Sequence, residues 1–144
     1  MIDKEETNIG VHAILVTDDL RVILQQREVK PRLINSGLTS LFGGTLKFRE
    51  TLREALVREI KEELEIDISK REIENLGIYK KTQQHDGVDW QVNVFIVKYI
   101  NPKELILHEG KSIYCVDPNI ALNNGKLTRI TRLAIKDYLQ LKSK

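Results

Sequence analysis

The sequence contains a single cysteine, Cys115, so no disulfide can form within the chain. Cys115 lies in the apolar run of residues 113–116, and we interpret it as a buried strand residue, not as a reactive thiol. No stretch approaches 18 consecutive apolar residues, and the polar start, Met-Ile-Asp-Lys-Glu-Glu-Thr, lacks the long apolar core of a secretory signal. We therefore expect a cytoplasmic protein.

Neither sign of charge dominates the composition. There are 23 Lys and Arg against 21 Asp and Glu, intermixed along the chain, and the formal net charge is +2. This balance does not favour a membrane binder or a stable nucleic-acid partner, and it leaves a homodimer open. The chain also lacks internal repeats and Pro/Ser-rich linkers. A length of 144 residues, 41% of them hydrophobic, predicts one domain over residues 9–144 after a polar segment, residues 1–8.

The strongest pattern in the chain is a helix signal after residue 50. Thr51 and Glu54 have the Thr-x-x-Glu spacing of a capping box, which predicts that the helix begins at Thr51. Apolar residues then recur at every fourth position, which predicts a buried stripe. The stripe consists of Leu52, Leu56, Ile60 and Leu64, with Ala55 beside it.

Three carboxylates lie on another face of the same helix. Glu59, Glu62 and Glu63 are spaced i, i+3 and i+4, so they are neighbours. At about 6 Å and an effective dielectric near 20, each like-charge pair costs on the order of 3 kcal/mol before screening. Arg58, four residues before Glu62, offsets only roughly 0.2–0.5 kcal/mol of this.

The remaining acidic patch suits a hard divalent cation such as Mg²⁺ or Mn²⁺. The alternative is a solvated surface of ordinary ion pairs, as many Glu-rich and Lys-rich helices have. Gly43-Gly44, which follows an apolar strand, favours the metal interpretation. Two glycines let a ligand approach the backbone closely, which suits a phosphate group next to a metal ion.

Residues 44–66 resemble the Nudix box, Gly-x5-Glu-x7-Arg-Glu-U-x-Glu-Glu-x-Gly-U, in which U is a bulky aliphatic residue. Eight of the nine fixed positions match: Gly44, Glu50, Arg58, Glu59, Ile60, Glu62, Glu63 and Ile66. Glu65 stands where the family has the last glycine, at a place where the helix is expected to end in a left-handed cap. We interpret Glu65 as a surface residue paired with Lys61.

The resemblance implies an α/β fold, the Nudix α/β/α sandwich, in which helices flank a mixed β-sheet. It also implies Mg²⁺-dependent hydrolysis of a diphosphate linkage in a nucleoside diphosphate derivative. Our first choice of substrate is a nucleoside triphosphate, cleaved to the monophosphate and pyrophosphate. Nucleotide sugars, ADP-ribose and dinucleoside polyphosphates remain open, as does a Nudix domain that senses a nucleotide without cleaving it.

Site roles follow from the same resemblance. Arg58 would orient the carboxylates, and either a helix glutamate or Glu109, which precedes a late strand, would act as general base. Of the helix residues, Glu62 and Glu63 are catalytic candidates as well as metal candidates. The candidate metal positions are Gly44, Glu50, Glu59, Glu62 and Glu63.

The rest of the chain predicts strands, one long loop and a closing helix. Hydrophobic patterns predict strands over residues 11–17, 21–27, 88–100 and 113–116, another beginning at residues 76–79, and a helix over residues 128–141. Residues 69–74 are predicted to be a polar connection and residues 28–40 a functional loop. The candidate substrate contacts are Arg27, Lys30, Arg32, Lys47 and Trp90, although the alternation around Trp90 favours packing on the sheet.

Overall fold

A computed structural model describes residues 8–29, 37–82, 87–108 and 111–143. Within these ranges seven strands form one sheet: β1 (Asn8–Val16), β2 (Val22–Arg27), β3 (Thr39–Ser40), β4 (Phe42–Thr45), β5 (Ile73–Thr82), β6 (Asp89–Val97) and β7 (Lys111–Val116). The helices are α1 (Leu52–Leu64), α2 (Pro118–Ala121), α3 (Arg129–Lys142) and a 3₁₀ turn, Pro102–Glu104. None of the helices in the described ranges is both long enough and apolar enough to cross a bilayer.

The sheet is mixed and is centred on β1. The strand order is β3-β2-β1-β6-β5, while β4 pairs with β1 and β7 pairs with β2. β1 and β6 run parallel, and the other pairs are antiparallel. This arrangement places the diglycine of β4 beside the central strand.

Each face of the sheet buries its own apolar core. Alternate residues of β1 point to opposite faces: Ala13 packs on the α1 side, whereas Ile14 packs on the α3 side. The four apolar residues Ala55, Leu56, Ile60 and Leu64 bury the inner face of α1. On the other face, Ala134, Ile135 and Tyr138 do the same for α3. The predicted α/β/α sandwich, a mixed sheet flanked by helices, is confirmed.

The ends of several elements differ from the prediction. β5 begins at Ile73, inside the segment predicted to be a polar connection, and β6 ends at Val97, earlier than residue 100. The end of the predicted loop at residues 28–40 forms β3, which pairs with β2. A register shift between Asn75 and Gly77 interrupts the alternation of β5, which hides the first part of this strand from a periodicity argument.

Candidate active site

The N-terminus of α1 is fixed by the predicted capping box. The backbone N–H of Glu54 donates to Thr51 Oγ1 at 3.0 Å, and the N–H of Thr51 donates to Glu54 Oε1 at 2.9 Å. Because these bonds satisfy two amides that the helix cannot pair itself, they fix where α1 begins. The beginning of α1 in turn fixes which side chains of its second half face β4.

The C-terminus of α1 has the left-handed cap that the resemblance implied. Glu65 adopts φ 57° and ψ 34°, and its N–H donates to the carbonyl of Lys61 at 3.0 Å. The segment between the 3₁₀ turn and β7 contacts this helix end, where Ile106 N–H donates to Leu64 O at 3.0 Å and His108 Nε2 donates to Glu62 O at 2.7 Å. The Glu65 carboxylate is exposed and lies 3.9 Å from His108 Nε2.

Replacing Glu65 by glycine should raise the free energy of unfolding by about 1 kcal/mol, because a side chain in the left-handed region is strained. The half-exposed contact with His108 that is lost contributes little. Urea unfolding measures the gain, and turnover should be unchanged. Lys61→Gly, one turn earlier and also exposed, is the matched control and should lower the free energy of unfolding by about 1 kcal/mol. A large loss of turnover in Glu65→Gly would give Glu65 a role at the site.

The diglycine of β4 lies in a tight space between β1 and α1. Gly43 is opposite His12 in the β1–β4 ladder and has φ 155°; a Cβ there would lie 2.1 Å from the carbonyl oxygen of Val11. At Gly44, a Cβ would lie 1.8 Å from Glu59 Oε2. The missing side chains therefore let β4 lie against β1 and let a carboxylate of α1 lie against β4.

Arg58 joins three of the glutamates. Its guanidinium binds Glu50 through Nε at 2.6 Å and Nη2 at 2.9 Å, and Nη1 reaches Glu62 Oε1 at 3.0 Å and Glu59 Oε2 at 3.3 Å. Nη2 also donates to the carbonyl of Thr45 at 2.9 Å. One planar, permanently charged group thus orients carboxylates from the loop and from the helix.

The contact with Arg58 lowers the pKa of Glu50 to about 2 from an ordinary value of 4.5, chiefly through the guanidinium hydrogen bonds. Because the folded-state pKa is the lower one, the stabilisation is complete above about pH 4.5 and is lost as the pH falls towards 2. We expect Glu50→Gln to flatten the fall in stability across this window, measured as urea midpoints between pH 5 and pH 2.5. An exposed control, Glu72→Gln, should keep the fall; an unchanged slope in Glu50→Gln would contradict the assignment.

Glu63 is the most enclosed member of the helix trio. Its Oε1 accepts the backbone N–H of Gly43 at 3.0 Å, and its Oε2 lies 2.6 Å from Lys111 Nζ at the start of β7. The side chain is only 14% exposed, against 53% for Glu62. Glu59 is also enclosed and accepts the N–H of Thr45 at 3.3 Å.

The site has the donor chemistry for a hard cation, with its carboxylates held by protein groups. Carboxylate oxygens are the ligands that Mg²⁺ and Mn²⁺ prefer, and the space at Gly44 receives one of them, from Glu59, against the backbone. In the described part of the chain, no three His, Cys, Asp or Glu side chains are gathered closely enough to hold a metal ion. Arg58 and Lys111 occupy oxygens that a metal ion would use. With Arg58 holding the other carboxylates, the residues fit a divalent ion once Lys111 releases Glu63.

The other candidate residues lie in different places. Arg27 lies directly opposite Lys111 in the β2–β7 ladder, so it is on the same face as the carboxylates. Lys47 is in the loop before α1, where its N–H donates to Glu50 Oε1 at 2.8 Å. Trp90 precedes Val92 and Val94, which pack on the α3 side, so it lies on the opposite face. The remaining candidates, Lys30, Arg32 and Glu109, lie outside the described residues.

Two residues that contact the glutamates were absent from the prediction. Lys111 reaches Glu63 across 48 positions, and His108 reaches Glu62 across 46. The one indication of them in the sequence is that His108 and Lys111 lie on either side of Glu109, the predicted general base. Nothing local in the sequence indicates which helix residue each of them contacts.

Comparison with known proteins gives one consistent answer. The family model for the NUDIX domain matches residues 6–113. A MutT NUDIX hydrolase from Burkholderia pseudomallei is 25% identical, with a TM-score of 0.73, over 92% of this chain and 98% of that one. The MutT protein from Methanosarcina mazei Go1 is 20% identical, with a TM-score of 0.81, over 99% and 100% of the two chains.

A third fold neighbour is the E. coli dihydroneopterin triphosphate pyrophosphohydrolase, which is 18% identical, with a TM-score of 0.74, over 90% of this chain and 93% of that one. No curated protein sequence matches significantly. The family match spans most of the chain and includes the whole segment from the diglycine to the end of α1. Nudix hydrolases act on nucleoside diphosphate derivatives and generally use divalent metal ions. The chain belongs to the Nudix family and is a Nudix hydrolase.

Proposed function

We propose that this protein hydrolyses a diphosphate linkage in a nucleoside diphosphate derivative with Mg²⁺, or alternatively Mn²⁺, as its metal. The first choice of substrate is a nucleoside triphosphate, cleaved to the monophosphate and pyrophosphate. The observation that carries the proposal is the carboxylate cluster organised by Arg58 beside the diglycine of β4. If this face of α1 were an ordinary solvated surface of ion pairs, no glycine would be required at the point where a carboxylate lies against the backbone.

Glu59, Glu62 and Glu63 would hold the metal, with Glu50 and the backbone at Gly44 supporting them. An ion bound by these carboxylates would neutralise the charge of the phosphate oxygens and lower the pKa of the attacking water. In the reaction, a water oxygen bonds to phosphorus, the bridging P–O bond breaks, and the leaving oxygen departs with the pyrophosphate. The proton of the water passes to a general base, for which a helix glutamate and Glu109 are the candidates.

Arg58 acts in this proposal by holding the carboxylates in place. It bonds to Glu50 through two nitrogens and reaches Glu62 through a third, so a single side chain sets the relative positions of loop and helix. Preorganised groups of this kind lower the barrier because they need not reorganise as charge develops. Arg58 is a positioning residue with regard to the reacting atoms.

Arg27 and Lys47 are the best-supported candidates for substrate recognition. Arg27 lies opposite Lys111 in the sheet, and Lys47 lies in the loop before α1, where its N–H donates to Glu50. Both would bind phosphate oxygens. One fold neighbour is named as a triphosphate pyrophosphohydrolase, and that activity is compatible with our first choice. Trp90, on the other face, would stack on a base only if the substrate reached around the edge of the sheet.

Residues 9–144 would form one domain. We propose a cytoplasmic location for the protein, and a homodimer remains open.

Activity against a panel of nucleotides, with and without Mg²⁺, tests the proposal. The panel should include nucleoside triphosphates, nucleotide sugars, ADP-ribose and dinucleoside polyphosphates, with the products identified to show which phosphorus is attacked. Release of monophosphate and pyrophosphate from a triphosphate supports the first choice. Binding of a nucleotide without turnover of any substrate would favour the sensing alternative, and neither binding nor turnover would refute both.

A further inference from the structure

One of the two cations at the carboxylate cluster is a lysine, whose ammonium group can change partners. Lys111 Nζ lies 2.6 Å from Glu63 Oε2, and its side chain is 23% exposed. An ammonium group on a four-carbon stem can change partners by rotating, whereas the forked guanidinium of Arg58 is fixed by its several bonds. Lys111 is therefore the cation at this site that can leave most easily.

The Glu63 carboxylate pairs with one cation, Lys111, and a metal ion would be a second cation at the same group. Ion pairs join four carboxylates, Glu50, Glu59, Glu62 and Glu63, to two cations, Arg58 and Lys111. The Oε1 atom of Glu63 is already bonded to the N–H of Gly43. A divalent ion that binds this carboxylate through Oε2 therefore competes with Lys111.

Lys111 also lies on the face where the substrate would bind. It is the first residue of β7 and is directly opposite Arg27 of β2, so the two side chains project to the same side of the sheet. Ile113, two residues later, packs against the core beneath α1, which identifies this side as the α1 face. A displaced Lys111 would remain within reach of an anion bound above the carboxylates.

We propose that Lys111 is an exchangeable counter-ion: it neutralises Glu63 until a divalent metal ion takes that carboxylate, and it then binds a phosphate group of the substrate. This inference rests on the proposed metal-dependent function. It assigns to Lys111 a substrate-binding role that couples metal binding to binding of the diphosphate. Metal ion and substrate then bind in a favoured order, because the metal ion frees the phosphate-binding ammonium.

The first test measures the Kd for Mn²⁺ by isothermal titration calorimetry, without any nucleotide. Removing the competing ammonium in Lys111→Met should tighten Mn²⁺ binding about tenfold, while Lys111→Arg should stay close to wild type. The matched control is Lys136→Met, which removes an exposed lysine from α3 on the other face of the sheet. Weaker or unchanged Mn²⁺ binding in Lys111→Met, or equal tightening in both methionine variants, would overturn the proposal. Should Lys111→Met not fold, Lys111→Gln replaces it.

The second test uses inorganic pyrophosphate as the anion and asks whether the contribution of Lys111 depends on the metal. Without Mn²⁺, wild type and Lys111→Met should bind pyrophosphate with equal, weak affinity, because Glu63 holds the ammonium. With saturating Mn²⁺, wild type should bind it about tenfold more tightly than Lys111→Met. The same difference with and without the metal ion, or no difference in either case, would contradict the exchange.

Both tests are independent of turnover, so they separate this inference from the proposed function. If no substrate is cleaved and Mn²⁺ still binds more tightly to Lys111→Met, the hydrolytic function fails while the competition at Glu63 stands. If substrates are cleaved and neither binding constant responds to Lys111, the function stands and the exchange is refuted.

Discussion

Glu62→Gln and Glu63→Gln should each reduce turnover by a factor of roughly 10³ or more, which corresponds to about 4 kcal/mol of lost transition-state stabilisation. Glutamine keeps the shape of the side chain and removes the negative charge with which these residues would hold a divalent ion. Turnover is measured with the best substrate from the nucleotide panel at an Mg²⁺ concentration that just saturates the wild-type protein. Raising the Mg²⁺ concentration should recover part of the loss if the defect lies in metal binding.

The two variants should differ in stability. Glu62 is half exposed and its loss should leave the fold intact, whereas Glu63→Gln also removes the charged partner of Lys111. The matched control is Glu65→Gln, at the end of the same helix and outside the cluster, which should keep wild-type turnover. Turnover near wild type in both Glu62→Gln and Glu63→Gln would refute the metal assignment.

The helix of this site could be predicted because its determinants are local. The capping box joins Thr51 and Glu54, three residues apart, and the apolar stripe repeats every fourth residue, so the sequence itself specifies where α1 begins and which face it buries. The left-handed end at Glu65 was predicted from the expected glycine position. Arg49, in the loop before α1, also adopts a left-handed φ, of 69°.

The strands could be predicted only where they alternate regularly. β1 and β2 are found within a few residues of their predicted ends, because each has a clear apolar pattern. The strand partners of β5 lie in β6, from Ile73 opposite Val97 to Thr82 opposite Asp89, and its register shift breaks the pattern. A strand of this kind is specified by its neighbour, which a single segment of sequence does not contain.

The contacts that complete the site were beyond prediction because they are distant in sequence. Lys111 is one of many lysines, and only the pairing of β7 with β2 brings it to Glu63. Trp90 shows the same limit: its alternation predicted a place on the sheet, but the face depends on how β6 pairs with β1. Residue types therefore indicated the chemistry of the site, and topology decided which residues share it.

The diglycine allows a direct separation of folding from catalysis, because its two members lack a side chain for different reasons. A Cβ at Gly43 would meet the backbone, at the carbonyl of Val11, whereas a Cβ at Gly44 would meet the carboxylate of Glu59. Backbone in a paired strand cannot move away without breaking the ladder. A carboxylate at the end of a flexible side chain can move, but only by leaving its place at the site.

Gly43→Ala should therefore lower the free energy of unfolding by about 3 kcal/mol or more, measured by urea unfolding. Gly44→Ala should cost only about 1 kcal/mol of stability and reduce turnover roughly 10²-fold, because a displacement of about 1 Å in a positioned group has effects of that size. Each variant is the control for the other. A stable, fully active Gly44→Ala protein would show that catalysis does not depend on the position of the Glu59 carboxylate against β4, and that the glycine is not required for it.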